Sequence, residues 1–208
     1  TGGTDPRYNN TQQPLTIESN GHTISGGGTR RILNHDTTQA LALNDLTLIN
    51  GRAVLSGGAI NARGSVTVTD STFTTNTAGV GGGAISALGP VTANGSAFTT
   101  NAGGLAGGAI STLGSATATG STFTGNTARS GGAISAGSAT ATGSTFTGNT
   151  ARAGGAISAG SVTATGSIFT GNSTTLGTGG AIRALVSVSA TNSTFTGNTA
   201  SIDGGAIA

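Results

Sequence analysis

The chain has 208 residues, of which 39 are glycine and only 7% are charged, and it contains no cysteine, methionine or tryptophan. A formal charge of +2 is too weak a basic field to favour nucleic acid. Without cysteine there are no disulfides or thiolate metal sites, and no apolar run approaches the ~20 residues that cross a bilayer, so no direct membrane insertion is expected.

Residues 1–14 read as an N-terminal extension, and no charged n-region with a following apolar stretch marks a secretion signal in them. Residues 15–56 read as degenerate entry coils. In them Leu15-Thr16-Ile17 and His22-Thr23-Ile24-Ser25 make an irregular first turn, and Leu41, Leu43 and Leu48 precede Val66, Val68 and Phe73 by 25 residues. From residue 57 to residue 208 the pattern is regular and continuous with the entry coils, so one domain is expected.

Two motifs carry that regularity. Gly-Gly-Ala-Ile occurs seven times, ending at Ile60, Ile85, Ile110, Ile134, Ile157, Ile182 and Ile207. Phe-Thr-(Thr/Gly)-Asn occurs six times, opening at Phe73, Phe98, Phe123, Phe146, Phe169 and Phe195, with steps of 23–26 residues. Unrelated motifs that keep nearly one period occupy fixed places in one structural unit, and this period belongs to solenoids and related arrays. Between the motifs, segments such as Ser65-Val66-Thr67-Val68-Thr69 alternate apolar and hydroxyl residues, the period of a half-buried strand. Val66, Val68 and Phe73 are expected inside, with Thr67, Thr69, Thr72 and Thr74 outside. Three short strands per repeat leave no room for a helix, and the dense leucine pattern of leucine-rich repeats is missing. The fold class is therefore all-β: a right-handed, single-stranded parallel β-helix of about eight coils of 23–26 residues, roughly 40 Å long.

The residue three places before each core aromatic, or before Leu48 one coil earlier, is Asp45, Asp70, Gly95, Gly120, Gly143, Gly166 or Asn192. Gly, Asn and Asp are the residues that tolerate a left-handed backbone, so a tight corner is expected there. Like positions stack on like. The six phenylalanines form one internal ladder, and Asn76, Asn101, Asn126, Asn149, Asn172 and Asn198 a second, whose amides can bond along the axis. The longest insertion, Ser173 to Thr178, falls at a corner that can vary without disturbing the stack.

The paired GGA[ILV] and FxxN motifs resemble the repeats of chlamydial polymorphic outer membrane proteins and related β-helix surface proteins of bacteria. The similarity covers roughly residues 15–208, and the opening segment from Leu15 to Gly26 looks like the entry coils of such proteins. The resemblance implies export, display at the bacterial cell surface as an autotransporter-type passenger, and a structural or adhesive role. Its partners would be a host or neighbouring-cell surface, or identical chains joined head to tail.

Candidate chemistry is sparse. β-Helical polysaccharide lyases and hydrolases cluster Asp with Arg, Lys or His on neighbouring coils. The nearest equivalent here is Asp45 above Asp70, two carboxylates that could share a proton or hold a cation, although both also suit the left-handed corner. His22 and His35 lie in the entry coils and read as solvated surface residues. Arg129 and Arg152 occupy one corner of consecutive coils and could meet an anionic sugar or lipid, or simply keep a low-charge rod soluble. No catalytic residues, metal or cofactor are expected, and the chain reads as a non-enzyme. The outward pairs Thr117/Thr119, Thr140/Thr142 and Thr163/Thr165 form a Thr-x-Thr array resembling the surface of β-helical ice-binding proteins, while threonine is also a favoured residue of any exposed strand. The sequence ends on Ile207-Ala208, just after the first motif of a further coil. A solenoid end needs a cap, so the expectation is a longer parent protein or a filament.

Overall fold

The computed structural model of the chain describes residues 13–208; the first twelve residues of the expected extension lie outside them. Every strand pairing in them is parallel, and no helix occurs among these residues. The coil that follows the first Gly-Gly-Ala-Ile shows the unit. Ile60–Ala62 forms a first face, Val66–Thr69 a second and Thr72–Thr74 a third. A two-residue strand, Thr77–Ala78, is a fourth short segment beyond the three expected.

Coils stack in register. On the third face eight strands join through seven parallel pairings, from Thr23–Ser25 to Thr194–Thr196, with Phe73, Phe98, Phe123, Phe146, Phe169 and Phe195 each opposite the next. The solenoid thus makes about seven turns. The leucines of the entry coils take the places expected of them, with Leu41 opposite Val66, Leu43 opposite Val68 and Leu48 opposite Phe73. Alternation puts Val66, Val68 and Phe73 in the interior and leaves Thr67, Thr69, Thr72 and Thr74 partly exposed.

A one-residue change in sequence reshapes a corner. Ile110 and Ser115 pair with Ile134 and Ser138, so the later coil has one residue fewer between the two faces. The turn at Leu113-Gly114 disappears, and the first and second faces fuse into single strands, Ile134–Thr142 and Ile157–Thr165. In Ile182–Thr191 the register shifts again, where exposed Leu185 and Val186 stand opposite Gly160.

Three left-handed corners recur in each coil. The expected one is present at all seven positions, with φ between 48° and 57° from Asp45 to Asn192. A second falls two residues after each core aromatic, at Thr75, Thr100, Gly125, Gly148, Gly171 and Gly197. The third is the first glycine of Gly-Gly-Ala-Ile, with φ of 57–71° at Gly57 to Gly204. The second glycine of that pair answers a different need. At Gly108 an added Cβ would collide with the carbonyl oxygen of Gly132 in the next coil, and Gly83 and Gly132 are crowded in the same way.

Candidate functional site

Six phenylalanine rings stack with centroids 4.8 Å apart and planes within 1–4° of parallel. Phe73, Phe98, Phe123, Phe146 and Phe169 are fully buried, and Phe195 in the last coil is partly buried. The second face adds small buried residues, Ala116 with Ala118 and Ala139 with Ala141, to the same closely packed core.

The asparagines lie at the turn after each ring. Asn76, Asn101, Asn126, Asn149 and Asn172 are completely buried, and Asn198 partly so. The Asn126 side-chain amide donates to the Phe98 carbonyl oxygen at 3.0 Å and to Asn149 Oδ1 at 2.9 Å. Its own Oδ1 accepts from the Asn101 backbone N–H at 2.9 Å and from the Asn101 side-chain amide at 3.1 Å. Both donors and the acceptor are satisfied, as a buried amide requires. Asn101, Asn149 and Asn172 repeat the arrangement.

A third ladder escaped the sequence reading. Ser71, Ser96, Ser121, Ser144 and Ser167 are buried, and each hydroxyl oxygen accepts the backbone N–H of the equivalent residue one coil before, at 3.1–3.2 Å. Each hydroxyl also donates to a backbone carbonyl two residues earlier, as Ser71 does to Thr69 at 2.8 Å. Its sequence signature is a serine directly after the left-handed corner residue in every coil from Ser71 to Ser193.

Of the residues weighed for chemistry, Asp45, Asp70, His22, Arg129 and Arg152 are exposed and His35 is buried. Asp45 and Asp70 are exposed corner residues with φ of 51° and 48°. Among the described residues no group of three or more His, Cys, Asp or Glu is placed to hold a metal ion. His22 is exposed, with Nδ1 2.6 Å from the Ser19 carbonyl oxygen. His35 corrects the expectation of a solvated side chain. It is fully buried, because its strand position pairs with Ala62 and points inward. Its Nε2 lies 3.1 Å from the Gln39 carbonyl oxygen and 3.3 Å from Thr37 Oγ1, and its Nδ1 has no hydrogen-bond partner. Arg129 and Arg152 are exposed neighbours on one corner, tied by an Arg152 N–H bond to the Arg129 carbonyl at 3.0 Å.

The threonine pairs fall on the second face. Thr67, Thr92, Thr117, Thr140 and Thr163 form one column, continued by Ser189. Thr69, Asn94, Thr119, Thr142, Thr165 and Thr191 form the other, two residues along each strand. Thr119, Thr140, Thr142, Thr163 and Thr165 are exposed and Thr117 is half-buried.

Four stretches of the chain, residues 70–88, 120–137, 143–160 and 192–208, match the family model of the Chlamydia polymorphic membrane protein repeat. Those four stretches are similar to that repeat. Each match opens on a left-handed corner residue, Asp70, Gly120, Gly143 or Asn192, and runs through the ring, the asparagine turn and Gly-Gly-Ala-Ile. The matched unit is thus the part of the coil that holds the serine, phenylalanine and asparagine ladders. No curated protein and no solved structure gives a significant match.

Proposed function

We propose that this chain is a rigid, non-catalytic segment of a bacterial surface or secreted protein, displayed outside the cell as a passenger-like stalk. The observation that carries the reading is the match of four coils to the polymorphic membrane protein repeat, within one continuous, register-locked solenoid. Three satisfied ladders and a closed apolar interior make a stiff rod, which suits presentation of a surface at a distance from the envelope. The finer assignment is adhesion, to a host or neighbouring-cell surface or to identical chains head to tail, through faces that carry hydroxyls and few charges.

The test has two parts. Protease added to intact cells of the source bacterium is expected to remove the segment, while a cytoplasmic marker survives. Purified protein is expected to bind whole cells, or itself, in a saturable manner. Protection of the segment until the cells are lysed would defeat the surface assignment, and surface exposure without any saturable binding would defeat the adhesive one alone.

A further inference from the structure

The second face has properties that a spacer does not need. Across the coils from Ser115 to Thr165 its outward positions are a serine column, Ser115, Ser138 and Ser161, followed by two unbroken threonine columns, Thr117, Thr140 and Thr163 and then Thr119, Thr142 and Thr165. No charged residue stands in either threonine column anywhere from Thr67 to Thr191. Thr117 to Thr119, Thr140 to Thr142 and Thr163 to Thr165 pair residue for residue, with no register shift between these coils. The array is therefore regular. Its threonines repeat at the 4.8 Å coil spacing along the axis, and at about 6.6–6.8 Å between alternate residues along the strand.

The corner beside the face is also bare. Gly120, Gly143 and Gly166 turn it with φ of 56–57°, and a Cβ there would meet nothing within 4 Å. Space does not demand glycine at these three positions, and the same corner carries Asp45 and Asp70 in earlier coils. Where the threonine pairs run unbroken, no side chain or charge rises at their edge.

We propose that this face, centred on Thr140 and Thr142, binds the surface lattice of ice. Ice is a neutral ligand whose water molecules differ from the solvent only in their regular placement. A protein selects it with a rigid, regular array that repeats on the lattice scale. β-Branched threonine is stiff at χ1, its hydroxyl can take a lattice position, and its methyl limits competing hydration. Any charged group would hold its own disordered water shell. A crystalline polysaccharide would call for aromatic platforms, and the described phenylalanines all belong to the interior column rather than to this face. The inference is independent of where the protein resides.

Purified protein at micromolar concentration is assayed for thermal hysteresis and for inhibition of ice recrystallisation, alongside two variants checked by circular dichroism. Wild type is expected to be active, Thr142→Tyr to lose activity by raising a ring in the middle of the array, and Thr147→Tyr on the third face to retain it. Should Thr142→Tyr unfold, Thr119→Arg takes its place, with the same loss expected. Inactive wild-type protein, a folded Thr142→Tyr as active as wild type, or equal loss in both tyrosine variants would overturn the assignment. Retention on microcrystalline chitin with no hysteresis would overturn it too, giving the face to a polysaccharide.

Discussion

A buried amide such as that of Asn126 has no alternative partner if one of its neighbours is removed. Its Oδ1 serves two donors of Asn101, and its amide serves Phe98 and Asn149. Asn126→Ala leaves the Asn101 N–H groups without an acceptor inside a dry turn. At about 1–3 kcal/mol for an unsatisfied buried group, the variant is expected to lose roughly 2–4 kcal/mol, measured by urea unfolding. The opposite sign is expected at Thr100, a β-branched residue held at φ 51°. A left-handed backbone costs a non-glycine residue about 1–2 kcal/mol, and glycine gives back about 0.5–1 kcal/mol in chain entropy. Thr100→Gly should therefore raise stability by up to about 1 kcal/mol. Thr75 should gain less, because its Oγ1 donates to Asn50 Oδ1 at 2.7 Å. The first left-handed corner was legible because Gly, Asn and Asp fill it in every coil. The second was hidden behind Thr75 and Thr100, whose type argues against the backbone they adopt. The fate of His35 was equally unreadable, since a single histidine in an irregular coil does not show which way its strand faces.

At the scale of the element, the doubled glycine separates two causes that look alike in sequence. Gly108 has no room for a side chain, since a Cβ would strike the Gly132 carbonyl and the Thr127 backbone of the next coil. Gly120 has open space and only its φ of 56° to object. Gly108→Ala is expected to cost about 3 kcal/mol through forced backbone shifts, and Gly120→Ala about 1–2 kcal/mol through the left-handed conformation alone. Comparable thermal melts for the two variants would contradict that division. Strand alternation was readable from the valine, alanine and threonine pattern. Fusion of the first two faces after Ile134 was not, because it depends on how a corner responds to losing one residue, and periodicity is silent on corner geometry. The threonine columns were visible as composition. Their strict register from coil to coil became evident only from the strand pairings.

Across the whole molecule, every ladder is a nearest-neighbour device. Each asparagine, serine and phenylalanine bonds or stacks on its equivalent one coil away, so a coil meets the rest of the rod through the coils directly before and after it. A cut that joins equivalent positions should then be tolerated. Phe123 pairs with Phe146, and the residues that follow them, Thr124 and Thr147, pair as well. Deleting residues 124–146 joins Phe123 to Thr147 and restores Phe-Thr-Gly-Asn across the junction, with the neighbouring serine, asparagine and glycine corners in their places. The shortened protein is expected to fold with the same circular dichroism and a modestly lower melting temperature. Small-angle scattering should show a rod shorter by one coil, 4.8 Å. Deleting only residues 124–135 removes about half a coil and sets Phe123 before Ala136, so ring, amide and glycine columns all fall out of register. That chain is expected to collapse without a cooperative melt. If both deletions melted alike, stability would reside in something other than coil-to-coil register.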